Sequence, residues 1–251
     1  DFESARRYLS FGLTPTVWQH SSPSKDETLW DHDTNAVKFK GKTFWYQKFV
    51  PDVPQADVYP NRARAQGRNN INPIRLVFDP RERGIYNPNP EFLDQKNPRW
   101  NDADSLAVRA FTQSYIEQNR PKIWGGMLRL LSPFNTNFDN DNIDYIEIMM
   151  KIDAYEQGSR MFIDLGQISE DIIPNQRLNT EDNPPANNLI DVGEDRGIDT
   201  LANDREKVVY PDPLNRESDP ARDDYSFDFN ADRQNQNESQ FVQYNNFEGN
   251  S

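Results

Sequence analysis

The stretch WGGMLRLLSPFNTNFDNDNIDYIEIMMKIDAYEQGSRMFIDLGQISED, Trp124 to Asp171, decides the fold class. Between Ile143 and Lys151, an extended chain puts Ile146, Ile148 and Met150 on one side and Tyr145, Glu147 and Met149 on the other. That period of two marks a half-buried strand, and no helix explains it. Met161, Ile163 and Leu165 repeat the pattern after a turn at Gln157, Gly158 and Ser159, so two neighbouring strands can pair and bury a common apolar face. The expectation is a mainly β chain: an antiparallel β-sandwich, jelly-roll or galactose-binding-like, with one amphipathic helix and a long irregular acidic C-terminal tail.

Working outward, Ala36 to Lys40 and Thr43 to Phe49 read as strands separated by a turn at Gly41. In the second, Thr43, Trp45, Gln47 and Phe49 alternate against Phe44, Tyr46 and Lys48. Residues 51–70, PDVPQADVYPNRARAQGRNN, carry too many prolines and asparagines for a central strand and read as a long surface loop suited to contacts. Ile71 to Phe78 returns to strand character, and DPRERGIYNPNP at residues 79–90 breaks it. Asn101 to Asn119 reads as the helix, with Val108, Phe111 and Tyr115 at helical spacing, a cap at Asn101 or Asp102 and a stop at Pro121. The division expected is a β-sandwich over residues 1–175 and an acidic extended segment over 176–251, ordered only by packing on other parts. DFES at 1–4 and NFEG at 246–249 look like two starts of a repeated module.

Composition narrows the function classes. Hydrophobic residues make up 35% of the 251, below the ~45–50% usual in globular domains, so the core must be modest. A formal net charge of −13 disfavours nucleic acid and anionic membrane surfaces, which need lysine and arginine in excess. With no cysteine, disulfides, thiolate metal sites and cysteine nucleophiles drop out. No apolar run approaches the ~20 residues of a membrane-spanning helix, although short transmembrane β-strands would escape such a test.

Few residues suggest chemistry. His20 and His32 lack the paired spacing of a zinc helix and read as surface histidines. Gly125 and Gly126 beside Trp124 read as a bulge or a close-packed strand. Glu147 and Glu170 form an imaginable glycosidase pair, but carboxylates are too abundant here for the pairing to inform. The acidic loop EDRGIDTLANDRE at 194–206 offers Asp195, Asp199 and Asp204 as calcium ligands around a turn at Gly197, without the EF-hand order. No other cofactor is expected. Trp18, Trp30, Trp45, Trp100 and Trp124 are mostly core candidates, with a sugar-stacking platform as the minority reading.

Several stretches together resemble the SprA/Sov family, the giant outer-membrane translocon of the type IX secretion system, linked also to gliding motility in Bacteroidetes. They are DFES at 1–4, ERGIYN at 82–87, WGGMLR at 124–129, NFDNDNIDYIEIMM at 137–150, MFIDLGQISEDI at 161–172, EDRGIDTL at 194–201, DPARDDYSF at 219–227 and YNNFEGNS at 244–251, in the family's order. The chain departs from the family pattern at Thr200, where glycine is usual, and at IDYIEIMMK, which stands in place of a phenylalanine-tryptophan pair. The resemblance implies a non-enzymatic segment of an outer-membrane protein-export channel, on the periplasmic or extracellular face. Its implied partners are the remainder of a large β-barrel, a PorV-type shuttle protein and secreted cargo with a C-terminal sorting domain. The alternative from a different class is a carbohydrate-binding β-sandwich of a secreted or surface protein.

Overall fold

The computed structural model describes residues 10–23, 33–48, 50–61, 70–89, 113–131, 145–155, 157–166, 171–177, 179, 197–210, 220–221, 223 and 242–244. In chain order the elements are β1 (Gln19–His20), α1 (Asp33–Ala36), β2 (Gly41–Lys48), β3 (Val53–Pro54), α2 (Gln55–Val58), β4 (Asn70–Ile71), β5 (Arg75–Arg83), α3 (residues 113–119), β6 (Met127–Leu128), α4 (Asn203–Val209) and β7 (Val242–Tyr244). All of the paired strands run antiparallel, in a three-stranded sheet ordered β5-β2-β7 and two two-stranded sheets, β1-β6 and β3-β4. Among the described residues no second sheet stacks on the first to make a sandwich, so the architecture is mixed and loosely packed. No described helix is long and apolar enough to cross a membrane.

The central strand follows from its alternation. Along β2 the side of Gly41, Thr43 and Trp45 is buried and the side of Lys42, Phe44 and Tyr46 is half-buried, as a period of two demands. Trp45 is fully enclosed, and its indole N–H donates to the Pro15 carbonyl at 3.0 Å, so the most apolar residue of the sheet also meets its one polar need. Its partner β5 runs on through Asp79 and Pro80, where the sequence suggested a break. Proline is tolerated there because β5 is a sheet edge among the described residues, and the register slips beside it, Gly41 pairing with Arg83 while Lys42 pairs with Asp79. The third strand, β7, comes from the C-terminal segment, with Tyr244 opposite Tyr46.

Other expectations need correction. Ala36 to Lys40 is not a strand but a helical turn running into a 3-10 turn over Val37–Phe39. Ala36, Val37 and Lys40 are buried, a helical spacing, and the Lys40 N–H donates to the Val37 carbonyl at 3.1 Å. The runs around Ile148 and Ile163 belong to no sheet, and both of their faces are exposed. Of the expected long loop, Val53 and Pro54 pair with Ile71 and Asn70, while residues 62–69 lie outside the described set. The helix expected over 101–119 is described from 113, with Ile116 buried and a 3-10 turn at Arg120–Lys122 where Pro121 ends it. Val108 and Phe111 lie outside the described residues.

Neighbouring backbone segments pin the end of the sheet at Gly41 and Gly84. The Gly84 N–H donates to the Lys40 carbonyl at 2.9 Å and the Gly41 N–H to the Trp124 carbonyl at 2.8 Å. A Cβ on Gly84 would lie 2.5 Å from the Gly41 carbonyl oxygen and 2.9 Å from its carbon, both backbone atoms that cannot rotate away. Gly84→Ala is therefore expected to destabilise the chain by about 1–3 kcal/mol, read as a lower urea midpoint with an unchanged slope; an unchanged midpoint would show that the junction is looser than described.

Candidate functional site

Two buried clusters flank this junction, one basic and one acidic. The basic one lies between β1, β2 and the strand leading into β6. Gln19 and His20 pair with Leu128 and Met127, the Ser21 N–H donates to the Gly126 carbonyl at 3.1 Å, and Trp124 bridges in parallel to Lys40. This path needs Gly125 and Gly126, since a Cβ on either would run into a side chain, that of Thr43 or of Ser21. His20 is buried, not the surface histidine expected, with its ring 4.9 Å from that of Trp45. His32 lies outside the described residues.

Lys40 is a residue that no local pattern could single out. It is 1% exposed, its Nζ meets no hydrogen-bond acceptor, and the nearest aromatic face is that of Trp124, 5.8 Å from Nζ to the ring centre. Burial pushes its pKa from the ordinary 10.5 down to about 7. Burial first, and then the charge of Lys40, hold His20 well below its ordinary 6.5. An amine that is substantially neutral at pH 7 beside a neutral imidazole is an arrangement that burial itself enforces.

The acidic cluster gathers three of the stretches quoted above. Ile85, Tyr86, Ile198, Tyr210 and Ala221 form its apolar part, with Ile172, Ile173 and Leu201 packed against it. Tyr86 holds a left-handed backbone, φ 56°, uncommon for a bulky residue. Its N–H donates to the Ala221 carbonyl at 3.1 Å, and its hydroxyl accepts the Ile198 N–H at 3.1 Å. The Arg83 guanidinium donates to the Pro220 carbonyl. Glu206 and Tyr210, four apart on and just beyond α4, face inward, and Glu206 accepts the Ala221 N–H at 2.9 Å. The Tyr210 hydroxyl donates to Asp199 at 2.9 Å. Burial first, and then Asp223 for Tyr86 or Asp199 for Tyr210, raise the pKa of both phenols, so each stays protonated.

The calcium candidates do not converge among the described residues. Asp199 is half-buried and bonded to the Leu201 N–H at 2.9 Å and to Tyr210, Asp204 is exposed in the first turn of α4, and Asp195 lies outside the described set. No group of three histidines, aspartates or glutamates among the described residues is placed to hold a metal. Glu147 is exposed and Glu170 lies outside the described residues. Of the tryptophans, Trp45 is enclosed, and Trp18 and Trp124 donate to the Gly12 and Ala36 carbonyls at 3.3 and 2.7 Å; Trp30 and Trp100 lie outside. Asp199 and the indoles of Trp18, Trp45 and Trp124 serve the packing of the chain on itself. No family model, no curated protein and no solved structure matches the chain.

Two measurements probe these clusters. The depressed pKa of Lys40 means that the unfolded chain binds the extra proton, so this residue's share of stability is complete above pH 10.5 and drains away as pH falls to about 7. Lys40→Met is expected to stabilise the chain at pH 7 by a few kcal/mol at most and to flatten the rise in urea midpoint between pH 7 and 10; a destabilised variant with the wild-type pH profile contradicts the burial. Thr200, exposed at φ 61°, occupies the glycine position of the resembled pattern, in a turn where its N–H donates to the Gly197 carbonyl at 3.1 Å. Thr200→Gly should raise stability by about 1 kcal/mol, because a β-branched residue is strained there, and a lowered melting temperature would refute the turn geometry.

Proposed function

We propose that this chain is a non-catalytic structural module of a large outer-membrane protein-export channel of the type IX kind. It shapes the pore or docks partners on the periplasmic or extracellular face. The observation that carries the reading is the distribution of apolar surface. Ten of the nineteen exposed large hydrophobic residues among those described fall in one stretch, between Tyr145 and Leu165. A self-sufficient domain rarely leaves a contiguous apolar run uncovered, whereas a module of a larger body does so wherever the body covers it. The β-sandwich read from the sequence belongs to the same proposal, since strands at 145–151 and 161–165 would then be completed in the assembly.

The remaining partners follow from the resemblance: the rest of a large β-barrel, a PorV-type shuttle and cargo with a C-terminal sorting domain. ERGIYN, WGGMLR, GIDTL and Ala221 of DPARDDYSF, four of the quoted stretches, meet at the junction and the acidic cluster, which supports reading them as one structural unit. A glycan platform is less favoured, because among the described tryptophans Trp45 is fully enclosed and Trp18 and Trp124 are half-buried, so none offers an open ring face. Gel separation and peptide mass analysis of native source material should assign these peptides to an outer-membrane polypeptide several times longer than 251 residues. Recovery from a free protein of about this chain's mass would remove the channel reading.

A further inference from the structure

Lys40 is anchored by its backbone where its side chain is buried. Its carbonyl accepts the Gly84 N–H at 2.9 Å and the Asn87 side-chain N–H at 2.7 Å, and its own N–H donates to the Val37 carbonyl at 3.1 Å. The backbone at this position is held from both sides, so hydration of Nζ requires that its cover move. The cover lies towards the β1–β6 ribbon, residues 15–21 with 124–128. Trp124 presents its ring 5.8 Å from Nζ, and His20, enclosed against Trp45, feels the charge of Lys40.

The charged groups on the other elements packed around Lys40 are engaged elsewhere. On β2 and β5, Lys42 pairs with Glu82 at 2.7 Å and Arg83 donates to the Pro220 carbonyl. Lys38 is exposed, and Lys122 lies over the Phe39 ring at 5.4 Å. Asn87 and Asn89, which follow β5, are neutral. A proton arriving at Nζ therefore meets no hydrogen-bonded counter-charge among the described residues while the cover is closed.

The attachment of the ribbon is slight beside that of the opposite wall. The described hydrogen bonds that tie it to the body are Gly41 N–H to the Trp124 carbonyl at 2.8 Å, Trp124 N–H to the Phe39 carbonyl at 3.1 Å, and the Trp124 and Trp45 indoles to the Ala36 and Pro15 carbonyls at 2.7 and 3.0 Å. Within the ribbon, Gln19 pairs with Leu128, His20 with Met127 and Ser21 with Gly126, so it can move as a unit. The opposite wall is a ladder, with β2 paired to β5 from Tyr46 and Arg75 through to Gly41 and Arg83. Local opening takes the route that breaks the fewest contacts.

We infer that the β1–β6 ribbon is an acid-released flap: when Lys40 takes up a proton the ribbon lifts off β2, the amine reaches water, and Thr43 and Trp45 are uncovered while the β2–β5 ladder and the acidic cluster stay in place. The inference stands apart from the channel reading. Its pH dependence has two legs. The closed form holds Lys40 at about 7 and release returns it to 10.5, so between those values the open form binds one more proton and gains about tenfold in population per pH unit of acidification. Below 6.5 the released His20 takes a second proton that the closed form excludes, by burial and by the charge of Lys40.

Thr43 is the natural probe, 4% exposed beneath Gly125, where a Cβ would run into its side chain. The chain has no cysteine, so a thiol at this position is distinctive. The native polypeptide carries Thr43→Cys, or Ile198→Cys in the buried acidic cluster as the control. Labelling by a dithiodipyridine is located by peptide mass analysis and compared with the same polypeptide in urea at the same pH. With reclosure faster than labelling, this ratio tracks the opening equilibrium. Protection of Thr43→Cys is expected to fall about tenfold per pH unit from pH 9 to 7 and to fall again below 6.5. Ile198→Cys keeps its protection throughout, and adding Lys40→Met to Thr43→Cys abolishes the upper leg alone. Parallel loss of protection at both positions, a pH-independent Thr43→Cys, or an upper leg that survives Lys40→Met each overturns the flap.

Discussion

The close approach of Gly41, Gly84 and Trp124 is the constraint on which the rest of the chain depends. Three backbone segments meet there, and each passes a hydrogen bond to the next: Gly84 to Lys40, Gly41 to Trp124, and the Trp124 N–H to the Phe39 carbonyl at 3.1 Å. Asn87 reinforces the point from its own fully buried position, donating to the Lys40 carbonyl at 2.7 Å while its oxygen accepts the Asn89 N–H at 2.9 Å. Buried backbone groups must be paired, and here the partners come from segments more than forty residues apart in sequence. The fold is therefore held by polar geometry at one point as much as by its small apolar core.

From that point the two clusters are built in opposite directions. ERGIYN acts as the hinge pin: Glu82 pairs with Lys42 at 2.7 Å on the sheet side, while Arg83 and Tyr86 reach Pro220, Ala221 and Ile198 on the other. The N-terminal sheet and the acidic C-terminal segment are thus tied by consecutive residues of one short motif. Both clusters bury ionisable groups, and Lys40, whose Nζ meets no acceptor, lowers stability near neutral pH for as long as it is held there.

The parts legible in the sequence were those governed by local periodicity. Thr43 to Lys48 alternates, and β2 buries one side more deeply than the other. The helix stop at Pro121 and the tight passage through Gly125 and Gly126 follow from the chemistry of those residues alone. What failed was set at long range. His20 looks solvated among polar neighbours and is enclosed because β6 and Trp45 come to it from far along the chain. Lys40 is buried by Trp124, and Glu206 by Ala221, contacts that no local window contains. On α4 the pattern is even inverted: Glu206 and Tyr210 face inward while Val208 and Val209 stand exposed. At Asp199 the sequence showed acidity without showing that the carboxylate accepts from the Tyr210 hydroxyl.

The balance of surfaces also bears on stability. Nine hydrophobic residues are buried among those described, against nineteen large ones exposed. Burial of a large apolar side chain is worth about 1.5–3 kcal/mol, while ordering each residue costs roughly 1–2 kcal/mol in backbone entropy alone. Among the described residues a core of this size leaves little margin, and the strained backbone at Tyr86 and Thr200 narrows it further. On the proposed reading, a larger body that covers the exposed run between Tyr145 and Leu165 binds the folded state and not the unfolded one, so it adds stability in proportion to the logarithm of its local concentration. On that reading folding and assembly are a single coupled equilibrium, with the glycine junction as the part held by the chain's own backbone hydrogen bonds.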